Sequence, residues 1–300
     1  MKVRLISPIT AATADLGCKA ARTIDRRTFL AATAAFTAAP GFVFAASSRL
    51  SLPATVKQGE LIVGKTEAGA TITLGGKPVQ VSKDGSFAFG FAYDRKVPST
   101  LVAAFPNGST ERRQIVPGVR MYEIQRINGL PEAFVSPPPD ILERIKRETE
   151  IMRDKRERES DNSWFTDGFD WPAAGILSSR YGSQRILNGE PRAPHLAVDI
   201  AAPTGTPIHA AADGIVTIVD DFYLNGQFTL LDHGHGVSTC YQHQSKQLVK
   251  PGDKVVRGQL IGEVGQTGRV TGPNLHWGMN WFQVSLDPSH STPTSAPPKT

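Results

Sequence analysis

Glycine and proline cut this chain into short apolar runs, and that punctuation restricts its fold more than any other feature. The 300 residues include 28 Gly and 22 Pro. From 48 to about 120, apolar and polar residues alternate with the period of a half-buried strand. Thr71-Ile72-Thr73-Leu74, Gly75-Gly76 and Lys77-Pro78-Val79-Gln80-Val81 read as a tight hairpin. Lys83-Asp84-Gly85 turns into Ser86-Phe87-Ala88-Phe89-Gly90-Phe91, which sets three phenylalanines on one sheet face. Turn signals roughly every 8–12 residues predict a small Ig-like β-sandwich over 48–120. This region has no histidine and no catalytic cluster. A second region, 170–288, repeats the pattern of short strands. The fold class is therefore mainly β.

Between the two, Pro137-Pro138-Pro139-Asp140 stops the chain and starts a helix, with Ile141, Leu142, Ile145 and Met152 near helical spacing. Thirteen of the 17 residues at 143–159 are charged, so the expectation is a solvated linker helix over 138–160. The Pro/Ser/Thr-rich end predicts a disordered tail over 289–300.

The net charge of +5 belongs mostly to the N-terminus: residues 1–45 hold six basic and two acidic residues, which leaves about +1 for the rest. That near-neutral body excludes nucleic acid as a partner. Arg26-Arg27-Thr28-Phe29-Leu30, an Ala/Thr-rich apolar stretch and small residues near Ala45 resemble a twin-arginine-type signal peptide over 1–45. The resemblance implies an exported protein, periplasmic or extracellular. Beyond the N-terminus no apolar run approaches the roughly 20 residues of a membrane span, so no stable span is expected in the mature form. Cys18 would leave with the signal, so Cys240 is the remaining thiol and no internal disulfide can form.

All seven histidines lie beyond residue 194. His195 and Asp199 stand four apart in a stretch whose prolines favour extended chain. Four residues of straight strand span about 13 Å, whereas two ligands of one zinc ion lie within about 4 Å of each other, so sharing a metal requires a sharp bend. Asn274 and His276 stand two apart and would share one face of a strand. Thr239, Tyr241 and His243 are expected to alternate onto one face. Two histidines and one aspartate make a three-ligand zinc sphere with a position open for water, as in catalytic rather than structural sites. His233-Gly234-His235 reads as an exposed turn, and Gly262, Gly265, Gly268 and Gly272 as turn residues. Trp277 and Trp281 share a face, for core packing or for a groove wall.

Pro194-His195-x-x-x-Asp199-Ile200-Ala201-Ala202-Pro203-x-Gly205-Thr206-Pro207 resembles the first zinc motif of the M23 peptidases, the lysostaphin-like endopeptidases that cut peptidoglycan peptides. Tyr241-x-His243, Pro251-Gly252-Asp253-x-Val255-x-x-Gly258-x-x-Ile261-Gly262 and Gly272-Pro273-x-Leu275-His276-Trp277 continue it in the same order, over about 170–288. The resemblance implies an antiparallel β-sheet holding Zn²⁺ in a groove, with His195, Asp199 and His276 as ligands. It also implies that His243 is a catalytic histidine that polarises water or stabilises the oxyanion. Two positions depart from the family: Ala197 stands where it usually has Gly, and Asn274 where it normally has a second catalytic histidine. An amide cannot take up a proton near neutral pH, so Asn274 could only position water or substrate. The leading expectation is an exported zinc endopeptidase acting on peptidoglycan peptides. The alternative is a catalytically impaired relative that recruits or activates another wall hydrolase.

Overall fold

The computed structural model describes residues 49–128 and 138–299; the signal-like segment 1–45 lies outside them. Seven short strands come first: β1 (Leu50–Ser51), β2 (Leu61–Thr66), β3 (Thr71–Leu74), β4 (Lys77–Val79), β5 (Ser86–Gly90), β6 (Ser99–Ala104) and β7 (Thr110–Ile115). They form two antiparallel sheets, β1-β2-β5 and β4-β3-β6-β7. The β3–β4 turn needs the left-handed backbone of Gly75 and Gly76, at φ 58° and 80°, the conformation that a two-residue hairpin loop demands. Phe87, Phe89 and Phe91 are buried between the sheets, with Phe89 edge-on to Phe91 at 5.7 Å.

The other face of β5 is also buried. Ala88 joins the core of the C-terminal region, and a Cβ added at Gly90 would lie 2.6 Å from Leu286 Cδ2. The small residues between the phenylalanines thus let the two β-rich regions pack directly. Arg120 adds a partly buried pair to Asp287 at 2.7 Å, and a Cβ at Gly59 would lie 2.6 Å from the Tyr181 ring. The described residues belong to one compact unit.

Next come β8 (Ile124–Ile127) and helix α1 (Pro139–Arg156). They are followed by β9 (Ile176–Ser179), β10 (Gln184–Leu187), β11 (Glu190–Pro191), β12 (Val198–Ala201), β13 (Pro207–His209) and β14 (Gly214–Phe222). The chain ends with β15 (Gly226–Gly234), β16 (Val237–Gln247), β17 (Lys254–Val255), β18 (Leu260–Val264), β19 (Asn274–Trp281) and β20 (Val284–Leu286). A large antiparallel sheet runs β17-β14-β15-β16-β19-β12-β9, extended by β13, β18 and β20. Along β19, Leu275, Trp277 and Met279 point into the main core with Ile200 and Tyr241. Trp277 is fully buried beside Trp171, ring centres 5.5 Å apart, so it packs the core and is no groove wall. The alternate residues of the same strands face the other way and build the site.

The structure adds to two expectations. The charged helix is mostly exposed, with Glu148 its one buried residue, and one side of it docks on the C-terminal sheet. Met152 of α1 packs on the cluster around Phe222, Phe228 and Cys240. The buried Glu148 carboxylate accepts the Tyr223 N–H at 3.0 and 3.1 Å while holding Arg144 at 2.6 Å. The terminal segment is likewise tied to the fold through its backbone: Pro298 O accepts the Gly175 N–H at 2.9 Å, and Thr294 O the Trp171 indole at 3.0 Å. Main-chain hydrogen bonding, invisible in composition, places it.

Candidate metal centre

The register of three central strands assembles the site. Asp199 on β12 pairs with His276 on β19, and His276 pairs with Gln242 on β16. Directly opposed residues of an antiparallel pair share a face, so these three side chains lie in a row. His195 reaches the row because the chain turns just before β12. It exchanges backbone hydrogen bonds with the 182–183 turn, its N–H donating to Ser183 O at 2.8 Å and its carbonyl accepting from Gly182 at 2.7 Å. That is the sharp bend that the spacing required, and Ala197 follows it with no positive φ.

The three candidate ligand atoms converge. His276 Nδ1 lies 2.8 Å from Asp199 Oδ1, His195 Nε2 lies 3.1 Å from the same oxygen, and the two ring nitrogens are 3.0 Å apart. Bonds of about 2.0–2.2 Å to a four-coordinate zinc would separate ligand atoms by about 3.3 Å, so the triangle is close to the size zinc needs. No fourth His, Cys, Asp or Glu joins this group among the described residues. The donor set fits zinc with an open position.

Neighbouring groups orient each ligand. Ser179 Oγ, which donates to Gln125 Oε1 at 3.2 Å, lies 2.8 Å from His195 Nδ1 and accepts the hydrogen bond of its N–H. His195 Nε2 is thereby left unprotonated toward the metal position, the outer-sphere arrangement typical of metal-binding histidines. Arg185 on β10 donates to Asp199 Oδ2 at 2.9 Å, which leaves Oδ1 for the site. Burial opposes ionisation of Asp199, but its contacts with the His195 and His276 rings outweigh it and hold the carboxyl well below its ordinary range.

His243 arrives by a route that its sequence spacing does not show. Its backbone is left-handed, at φ 63°, inside a β-bulge between the pairs Gln227–Gln244 and Thr229–Tyr241. The bulge breaks the alternation. Thr239 and Tyr241 stay on the core side, whereas His243 turns into the groove. Its Nδ1–H donates to Thr267 O at 2.8 Å, leaving Nε2 with a lone pair. Burial, reinforced by the neighbouring His276 ring, lowers its pKa to about 4. It is a neutral base at neutral pH.

Asp199, His243, Asn274 and His276 line one open cavity of about 180 Å³, with His195 buried behind them. Asn274 Nδ2 donates to Gly272 O at 3.0 Å, while its buried Oδ1 has no hydrogen-bond partner among the described residues. The His233-Gly234-His235 turn is not exposed: both rings are buried. His233 Nδ1 donates to Asp213 O at 2.6 Å and Nε2 lies 2.8 Å from Thr239 Oγ1. Thr239 meets the Tyr241 hydroxyl at 3.1 Å, and that hydroxyl accepts the Ala211 N–H at 3.0 Å. His233 thus ends a buried polar chain in the core. His209 is half-buried on β13, and His290 pairs with Glu60 at 2.9 Å; both lie away from the site. Residues beside the triad that its motifs did not mark include Ser179, Arg185, Thr267 and Arg269.

The family model for peptidase family M23 matches residues 193–288. A crystal structure of a candidate M23 peptidase from Pseudomonas aeruginosa superimposes with a TM-score of 0.61 and 30% identity, covering 78% of this chain and 93% of that one. The chain belongs to peptidase family M23. The peptidoglycan DD-endopeptidase ShyA of Vibrio cholerae is 44% identical over 102 residues, 34% of this chain and 24% of that protein. The DD-carboxypeptidase/endopeptidase Mpg of Neisseria meningitidis is 43% identical over 83 residues, 28% and 19% of the two chains. The chain therefore spans about a quarter or less of these curated relatives. M23 peptidases are zinc metallopeptidases, and the M23 match covers both candidate ligand motifs.

Proposed function

We propose that this M23 protein is an exported zinc endopeptidase that hydrolyses peptide bonds in peptidoglycan. One observation carries the reading: two imidazole nitrogens and one carboxylate oxygen converge to within 3.1 Å on the wall of an open groove that His243 also lines. The wall-directed names of the relatives support the substrate class. The twin-arginine-type segment 1–45 supports export, and no described helix is long and apolar enough to cross a membrane.

His195, Asp199 and His276 would hold the zinc, which supplies a Lewis acid that polarises a peptide carbonyl and brings the pKa of water toward about 7. The chain's own groups do the rest. His243 Nε2 can take a proton, and the resulting imidazolium is held at Nδ1–H by the Thr267 carbonyl, the orienting role a base requires. Arg185 holds the Asp199 carboxylate in one orientation. Asn274 presents an acceptor, Oδ1, to a substrate N–H, and leaves proton transfer to His243. A second reading, a relative that binds wall peptides and engages a partner hydrolase without cleaving, rests on Asn274 itself, whose amide cannot exchange a proton.

Digestion of purified peptidoglycan separates the two. The wild-type protein is expected to release cross-link-cleaved peptides, and His276→Ala to release none and to lose its bound zinc. An inert wild type beside an active Asn274→His variant would establish the second reading.

A further inference from the structure

A closed but unpaired polar seam lies where three segments meet: the β15–β16 turn at 234–236, the connector from α1 to Trp164, and the residues after β4. His235 is 1% exposed, with its ring 5.1 Å from that of the buried Phe165. Neither of its ring nitrogens has a hydrogen-bond partner among the described residues. Gln80 Oε1, Ser160 Oγ and Ser238 Oγ are buried and lack partners in the same way, and Ser238 stands opposite Asp232 in the β15–β16 register. An imidazole buried without partners is costly, so the backbone around it must impose its position.

That constraint is visible. The His235 N–H donates to Ser160 O at 3.1 Å. Gln80 Nε2 donates to the same carbonyl at 3.3 Å and to Asp161 Oδ1 at 3.0 Å. Gly234, at φ 95°, lies so close to the connector that a Cβ there would run into Asn162 O. The backbone stays left-handed through His235 and Gly236, at φ 50° and 76°, a conformation that glycine adopts freely and histidine seldom.

Four charged groups face the ring or its immediate neighbours. Asp161 and Arg158 come from the connector, and Asp232, which Arg158 holds at 3.3 Å, from β15. Asp84 comes from the turn between β4 and β5, where Lys65 holds it at 2.6 Å. Phe165, and Phe282 whose ring covers Gly236, bring no charge. Burial lowers the His235 pKa, and the three carboxylates offset part of that, so the closed seam holds a neutral imidazole at neutral pH.

We propose that the 158–163 connector and the 234–236 turn form a proton-operated latch, closed on neutral His235 and released when that imidazole takes up a proton. The inference is independent of the peptidase reading. An imidazole in the open, solvated seam binds a proton near pH 6.5, and the buried one binds it more weakly. The closed form is therefore fully favoured above pH 6.5 and loses ground as the pH falls. The latch also bears on the groove. Its connector continues from α1, whose Ile145, Thr149 and Met152 wall a second half of the groove, a cavity of about 270 Å³ that His243 and His276 also line. Release frees the chain at the C-terminal end of that wall, while Gln283 still holds Arg153 O at 3.0 Å.

The test follows the His235 amide, whose partner is Ser160 O, by NMR-detected hydrogen exchange on the zinc-loaded protein, with each rate corrected for its intrinsic pH dependence. Between pH 7 and 5 the opening equilibrium at this amide should rise by about tenfold, while the β15–β16 ladder stays protected. In His235→Asn, whose side chain tolerates left-handed backbone and does not titrate, the rise should vanish. A rise that persists in the variant would assign it to another group and overturn the proposal. So would an unchanged wild-type amide, or an acceleration spread equally over the ladder, which is global loss of stability. The ring gives a second readout that needs no variant: its ¹⁵N titration in the wild type should have a midpoint below 6.5 and coincide with the opening of the amide. A midpoint at 6.5 or above would refute the latch.

Discussion

Arg185 decides which oxygen of Asp199 stays available. With Oδ2 held at 2.9 Å, the carboxylate cannot rotate away from the imidazoles. Groups that orient metal ligands commonly change affinity by 10- to 100-fold. Arg185→Met is therefore expected to weaken zinc binding by about that factor, measured by competition with a chromogenic chelator. Unchanged affinity would mean that Arg185 does not orient the carboxylate for the metal. His233 gives a second prediction. Burial lowers its pKa from 6.5 to about 4, so the unfolded chain binds a proton there that the folded chain refuses. Stability from this group is complete above pH 6.5 and is lost as the pH falls toward 4, by about 3 kcal/mol. Urea midpoints from pH 7 to 4 should fall less steeply in His233→Gln than in the wild type.

At the scale of elements, α1 is both strap and wall. Its Glu148 caps the Tyr223 N–H, and its Ile145, Thr149 and Met152 line the second half of the groove. Truncating one partner of a buried charged hydrogen bond costs about 1–3 kcal/mol. Glu148→Ala should destabilise the protein by that amount and speed amide exchange along α1, while the triad, held by sheet register, keeps its zinc. Loss of zinc in this variant would mean that the helix shapes the metal centre as well. The bulge in β16 and the Thr267–Arg269 turn form a second working element, in which two glycines, Gly226 and Gly268, allow loop and strand to touch.

At the scale of the molecule, the two β-rich regions are joined because β5 serves two cores. Phe87 and Phe89 fill one, and Ala88 enters the other. Gly90→Ala would push a methyl group to 2.6 Å from the fully buried Leu286. Overpacking of this kind costs about 1–3 kcal/mol. Because the two β-rich regions share that contact, calorimetry should show a single transition at a lower temperature. Two separate transitions would mean that the regions fold independently.

The resemblance to the M23 motifs marked His195, Asp199, His276 and His243 as candidates, and the fold brings the first three together; period-two patterning was enough to mark a mainly β chain. The face that His243 presents was not legible, since a bulge reverses the alternation and bulges are set by cross-strand pairing. Arg185 carries no local signal of its role; it matters because β10 brings it to Asp199. The burial of His233 and the docking of α1 likewise depend on which surfaces come together. Sequence alone determined the donor chemistry; the tertiary structure decided the charges around it, because electrostatics follows distance in space and not along the chain.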